Sequence, residues 1–251
     1  MQYIRDYANY SSNKTKYGNK HIIYFFLKIV VIAALAYWFI TSFFIRAYEV
    51  KTTSMDPSLT ESDFVLVSPI LYGIKAPFLE KDFRGIQIPE RGDLVVIVPP
   101  YKNETSIFQK ALEPVLNFIT LQKLNLNRDV QGKDINSYSV KRIIGVPGDT
   151  VKVNNFEAFI KPEGQDKFIN EFNLISVNYK IILENNAVNW SNTLPVSGNV
   201  DEIILKENEY FLLGDNRPFS NDSRCWGPVL FESFIGKVIF RYWPFEKFGE
   251  F

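Results

Sequence analysis

The chain has 251 residues, with 28 Lys+Arg against 28 Asp+Glu, one cysteine and one histidine. The zero balance excludes a generally basic nucleic-acid binder and a generally acidic, solvated chain. The single cysteine excludes an intrachain disulfide, and so few soft ligands leave no basis for a structural zinc site. The balance is uneven along the chain. Residues 1–51 carry seven basic and two acidic residues, a net +5, so the rest carries −5.

In chain order, the first predicted element is a membrane span at residues 22–45 (IIYFFLKIVVIAALAYWFITSFFI), in which Lys28 is the one charge. About 20 apolar helical residues cross a bilayer core, and Lys28 is near enough to the span's start to snorkel. Arg5, Lys14, Lys16 and Lys20 precede the span against Asp6 alone. The positive-inside rule therefore predicts a cytoplasmic segment 1–21 and an exported domain 46–251. A cleavable signal peptide would have a shorter apolar region and a small-residue cleavage site, where this chain has Phe43-Phe44-Ile45-Arg46-Ala47. A buried core helix is the other alternative.

Beyond the span, short β-branched runs alternate with turn signals. Predicted strands are Phe64–Val67, Asp93–Val98, Val140–Val146, Val151–Val153, Phe156–Ile160, Glu202–Leu205, Tyr210–Leu213 and Lys237–Tyr242. Asn154-Asn155 suggests a hairpin turn between two of them. The fold class expected is mostly β, a sandwich or barrel-like sheet behind one N-terminal helix. Two polar stretches, about 101–136 (with a possible helix at Ile107–Phe118) and 161–201, read as insertions or an inserted subdomain.

The chemistry is approached by elimination. His21 falls on the cytoplasmic side of the predicted span, which removes a Ser-His-Asp triad and leaves Cys225 without a histidine to activate it. No P-loop, dinucleotide fingerprint, G-x-S-x-G or H-E-x-x-H occurs. A serine activated by a lysine remains, because burial can lower a lysine pKa by roughly 3–5 units and free the amine to accept a proton. Candidates are Ser54, nine residues after the span, and Lys141, on a strand face with Ile143 and Gly145. On pattern alone, Ser54 reads equally as a turn residue and Lys141 as a solvent-facing strand residue.

Four segments together resemble the type I signal peptidases, membrane-anchored Ser-Lys proteases. Ser54-Met55-Asp56-Pro57-Ser58-Leu59 is similar to their S-M-x-P-T-L box. Arg91-Gly92-Asp93 followed by Leu94-Val95-Val96 is similar to their R-G-D strand, and Lys141 to Asp149 to their K-R-hydrophobic-G-x-P-G-D box. Gly214-Asp215-Asn216-Arg217, Ser220 and Asp222-Ser223-Arg224 are similar to their G-D-N-R-x-x-S-x-D-S-R box. Ser58 departs from the usual Thr, Pro218-Phe219 from polar residues, and Cys225 from an aromatic.

The resemblance implies cleavage of signal peptides from exported preproteins at the outer face of the bacterial plasma membrane. It also implies the roles: Ser54 as nucleophile, Lys141 as general base, Thr52 as an oxyanion donor beside the Ser54 backbone N–H, and Ser220 as the group orienting the lysine. Asp222 and Arg224 would form a supporting salt bridge, and Asp215 and Arg217 would hold their loop. The expected partners are preprotein signal peptides and the lipid bilayer. No cofactor, metal or nucleic acid is expected, and the chain is expected to be a monomer. Three other classes fit parts of the pattern: a non-catalytic membrane-anchored β-domain, a self-cleaving repressor-type Ser-Lys protease, and a processing peptidase with a narrow client list. Intact Ser54, Lys141, Ser220 and Asp222 distinguish the first, and the span with no DNA-binding motif the second.

Overall fold

The structure, a computed structural model, describes residues 21–40, 44–74, 83–100, 138–183 and 198–251. The helix anticipated at Ile107–Phe118, the stretch 101–136 and the cytoplasmic segment up to residue 20 lie outside the described residues.

Helix α1 spans His21–Ile40, and the 18-residue window that qualifies it as a span has no buried residue. It is therefore not the buried core helix that its composition also allowed. Phe44 and Ile45, at the end of the expected span, are not helical, and β1 (Arg46–Glu49) begins at once. Then follow β2 (Phe64–Ser68), β3 (Gly73–Ile74), β4 (Phe83–Arg84), β5 (Leu94–Ile97), β6 (Ser139–Gly145), β7 (Thr150–Asn154), β8 (Glu157–Lys161) and β9 (Ile169–Asn170). The chain continues through a short helix α2 (Glu171–Leu174), β10 (Val200–Ile204), β11 (Glu209–Leu213), a short helix α3 (Ser223–Trp226), β12 (Val229–Leu230), β13 (Phe234–Trp243) and β14 (Gly249–Glu250).

The strands form an eight-stranded sheet in the order β1-β2-β13-β5-β6-β11-β12, with β14 on β13, and a four-stranded sheet in the order β10-β7-β8-β9. Strands β3 and β4 make a separate pair. Every ladder within these sheets is antiparallel, so the described residues are mostly β behind one apolar helix, as expected. The two sheets share a core. Ile144 of β6 and Phe211 and Leu213 of β11 pack with Val151, Val153, Ala158, Ile160 and Leu205.

Two strand readings shift. The β7–β8 hairpin turns at Asn155 (φ 49°) and Phe156 (φ 70°), with Asn154 paired to Glu157, one residue later than the Asn154-Asn155 expectation. Two consecutive positive φ values define the primed turn that matches strand twist. A phenylalanine is costly there, and Phe156 is held by its N–H to Gly198 O and by Arg217 Nη1 on its own carbonyl. Strand β13 is longer than Lys237–Tyr242 because it pairs along its length with both β5 and β2. Within 161–201, residues 161–183 are integral to the fold: Ile175 and Tyr179 are buried in the shared core.

Candidate active site

Ser54 sits in a 3-10 turn, Thr53–Met55. Apolar anchors pin that turn: Met55 and Leu59 are fully buried in a core with Val65, Val67, Leu94 and Val238. Thr52 precedes it in extended conformation, and its Oγ1 lies 3.0 Å from Ser54 Oγ. From the far side, the Asn216 N–H donates to Ser54 O (3.1 Å), and Asn216 Nδ2 donates to Thr53 O (3.0 Å).

Lys141 lies on β6, between β5 and β11 in the middle of the large sheet, with Val95 as its cross-strand partner. Burial on both faces follows from that position, and Lys141 is 2 % exposed. Its Nζ is 2.7 Å from Ser54 Oγ. At that distance an ammonium donates to the hydroxyl, and a neutral amine accepts from it. Burial pushes the Lys141 amine down to about 8, against the raising pull of Asp222 and Asp215. A buried amine touching a serine hydroxyl, with its pKa near working pH, is equipped to take up that hydroxyl's proton.

The other anticipated residues surround this pair. Arg224 Nε and Nη2 donate to the two Asp222 oxygens at 2.8 and 2.9 Å, with both side chains at 0 % exposure. Burial by itself would raise the Asp222 carboxyl. The bonds from Arg224 and from the Gly214 N–H (3.0 Å) nevertheless hold it below its ordinary value. Asp215 is bound twice by Arg142, at 2.9 and 2.6 Å, and Arg217 twice by Glu171, at 2.8 and 2.6 Å. Ser220 is buried against Gly214, where an added Cβ would collide with both the Ser220 side chain and the Ser54 carbonyl. Its hydroxyl contributes to the acidity of Asp222 but falls short of hydrogen-bonding geometry, so the expected bond to Lys141 is not formed. Among the described residues no cluster of three or more His, Cys, Asp or Glu side chains is placed to hold a metal ion.

Residues 23–243 match the profile of the family described as signal peptidase, peptidase S26. The chain belongs to this family. Its general activity is thus the cleavage of signal peptides by an S26-type peptidase. Among similar curated proteins are signal peptidase IB of Staphylococcus aureus strain Mu50 (29 % identical; 87 % of this chain, 88 % of the relative) and signal peptidase I of Buchnera aphidicola subsp. Baizongia pistaciae (28 %; 92 % of this chain, 80 % of the relative). A solved signal peptidase I from Enterococcus faecalis V583 aligns at 22 % identity and a TM-score of 0.34, over 61 % of this chain and 99 % of that one.

The peptidase boxes pair with one another in space. Arg91 of the R-G-D strand binds Asp149 at the end of the lysine box (2.9 and 2.5 Å). Arg142, beside Lys141, binds Asp215, and its Nη2 also reaches Ser58 Oγ (3.2 Å), the hydroxyl that the Thr-to-Ser departure keeps. The sequence reading missed Arg142, Asn216, Glu171 and Tyr179 as contributors. The first two were visible inside the boxes. Glu171 carries only a local signal, following the helix-capping Asn170, whose side chain accepts from the Phe172 N–H. Its partner lies 46 residues away.

Proposed function

We propose that the chain is a membrane-bound serine endopeptidase that cleaves signal peptides with Ser54 as nucleophile and Lys141 as general base. The 2.7 Å contact between Lys141 Nζ and Ser54 Oγ inside a buried site carries this reading. Ser54 Oγ attacks the scissile carbonyl carbon while its proton passes to Lys141 Nζ. The tetrahedral oxyanion is held by the Ser54 backbone N–H and the Thr52 hydroxyl. As the C–N bond breaks, Lys141 returns the proton to the leaving amine. Lys141 then deprotonates the water that releases the acyl chain, restoring Ser54. Asp222, held by Arg224, tunes the amine.

The proposed setting is the outer face of the bacterial plasma membrane, with α1 crossing the bilayer N-terminus inside and the β-domain outside. Exposed Trp243, Phe245 and Phe248 suit the interface. A signal peptide is itself a membrane segment, so its cleavage site emerges beside this domain.

Preprotein processing in detergent micelles, with N-terminal sequencing of the products, tests the reading. Ser54→Ala and Lys141→Arg should both be inactive, the latter because arginine does not deprotonate in proteins. Processing by either variant refutes the dyad. In the native enzyme, only neutral Lys141 accepts the serine proton. Therefore kcat/KM should rise with pH through a midpoint near 8. A flat profile from mildly acidic to alkaline pH would reject the lysine base.

A further inference from the structure

The segment Gly214–Arg217 touches the nucleophile turn, yet part of what grips it comes from residues 171–182, outside all four peptidase boxes. Ile182 N–H donates to Asp215 O (2.9 Å), and Arg217 N–H donates to Ile182 O (3.1 Å). Within the same stretch, the fully buried Glu171 carboxylate takes four donors. Its Oε1 accepts from Ala158 N–H (2.9 Å) and Arg217 Nη1 (2.8 Å), and its Oε2 from Arg217 Nη2 (2.6 Å) and Tyr179 OH (2.5 Å). Four bonds use all the acceptor sites of a carboxylate.

Tyr179 joins the two buried ion pairs. Its hydroxyl is bound to Glu171, the partner of Arg217, and its ring face lies 4.0 Å from the Arg142 guanidinium carbon. Arg142 is the partner of Asp215 and the strand neighbour of Lys141. Burial, followed by the neighbouring Glu171 charge, pushes the Tyr179 phenol well above its ordinary value, so it remains a donor at every working pH. One aromatic side chain thus ties the strand that carries the lysine to the loop that clamps the serine.

We propose that Glu171 and Tyr179 are positioning residues for the reaction, holding Ser54 against Lys141 through Arg217, Arg142 and the Gly214–Arg217 segment. Asn216 transmits the grip to the nucleophile turn: its main chain is fixed between Arg142-bound Asp215 and Glu171-bound Arg217, and its side chain and N–H hold Thr53 and Ser54. A small displacement is enough to matter, because a shift of about 1 Å at reacting atoms can cost roughly 10²-fold in rate. The inference rests on the reading of Ser54 and Lys141 as the catalytic pair.

The test uses the full chain in detergent with a preprotein substrate. kcat and KM are measured for Tyr179→Phe, Tyr179→Leu and Glu171→Gln, below the melting temperature of every variant, with Ser54→Ala as control. Tyr179→Phe keeps the ring on Arg142 and loses one hydrogen bond, so kcat should fall about tenfold. Tyr179→Leu loses both links, and Glu171→Gln loses the ion pair. Each should cost about a hundredfold in kcat, with KM within about twofold of native. Native kcat in folded Tyr179→Phe and Tyr179→Leu protein, whatever their melting temperatures, overturns the proposal. Should Glu171→Gln and Tyr179→Leu fail to fold, Tyr179→Phe alone decides it. An active Ser54→Ala control would instead refute the catalytic pair itself, which separates the two failures.

Discussion

The lysine of the large sheet and the glutamate that opens α2 bury charge in opposite ways. The large sheet buries the Lys141 amine against a serine hydroxyl, with carboxylates near but none bonded to it, and its affinity for protons falls. Glu171, the first residue of α2, is buried with a full set of donors, including two nitrogens of Arg217, and both side chains are at 0 % exposure. An incompletely compensated charge is a reagent, because its protonation state is easily exchanged. A saturated one is a fixture, because neither partner can leave alone. The loop 214–217 lies between the two kinds of site and is held by the fixture while it serves the reagent.

Five substitutions test that contrast. Glu171→Ala should have the largest effect on the fold, about 3–5 kcal/mol of lost stability, because Arg217 is left buried and unpaired. Denaturant titration would check it, and a loss below about 1 kcal/mol would erase the distinction between the two sites. Lys141→Met should do the reverse, stabilising the fold by up to about 3 kcal/mol at neutral pH while activity is lost. The sign follows from the lowered pKa. Between about 8 and the ordinary 10.5 the unfolded chain binds more protons than the folded one. The Lys141 penalty is therefore complete below pH 8 and fades as pH rises toward 10.5, and the gain from methionine should fade over the same window. Thr52→Val should lower kcat by roughly 10–10²-fold with little change in KM, and Thr52→Ser should restore most of it. The smallest effect belongs to the pair Lys206–Glu209, 3.9 Å apart with the lysine side chain 83 % exposed. Lys206→Ala should change stability by less than about 0.5 kcal/mol.

Legibility in the sequence divides along the same line. Short β-branched runs between turn signals located the longer strands of both sheets to within a few residues, whereas β1, β9, β12 and β14, two to four residues each, were not anticipated because so short a segment leaves no pattern. The Ser54 turn and the Lys141 strand were legible as local motifs whose residues are neighbours in the chain. Where the structure went further, the information was tertiary. Arg142–Asp215 and Arg217–Glu171 join residues separated by 73 and 46 positions, and no periodicity encodes such a pairing. The Asn155–Phe156 turn was displaced by one residue because contacts from Arg217 and Gly198 override the preference of a phenylalanine. The polar character of residues 161–201 disguised Ile175 and Tyr179 as parts of an insertion, since two buried side chains in a mostly hydrophilic stretch leave no pattern.

The passage from α1 to β1 has a kinetic consequence. Only residues 41–45 separate Ile40 from Arg46. Five extended residues reach at most about 18 Å, and β1 is already hydrogen-bonded into the sheet along its length. With α1 in the bilayer as proposed, the tether is too short for the β-domain to wander. Enzyme and substrate then meet by lateral diffusion in two dimensions, and their encounter is set by surface density instead of bulk concentration. The scissile bond presents itself at a nearly fixed height, so a short leash doubles as a gauge of where along an exported chain the cut falls.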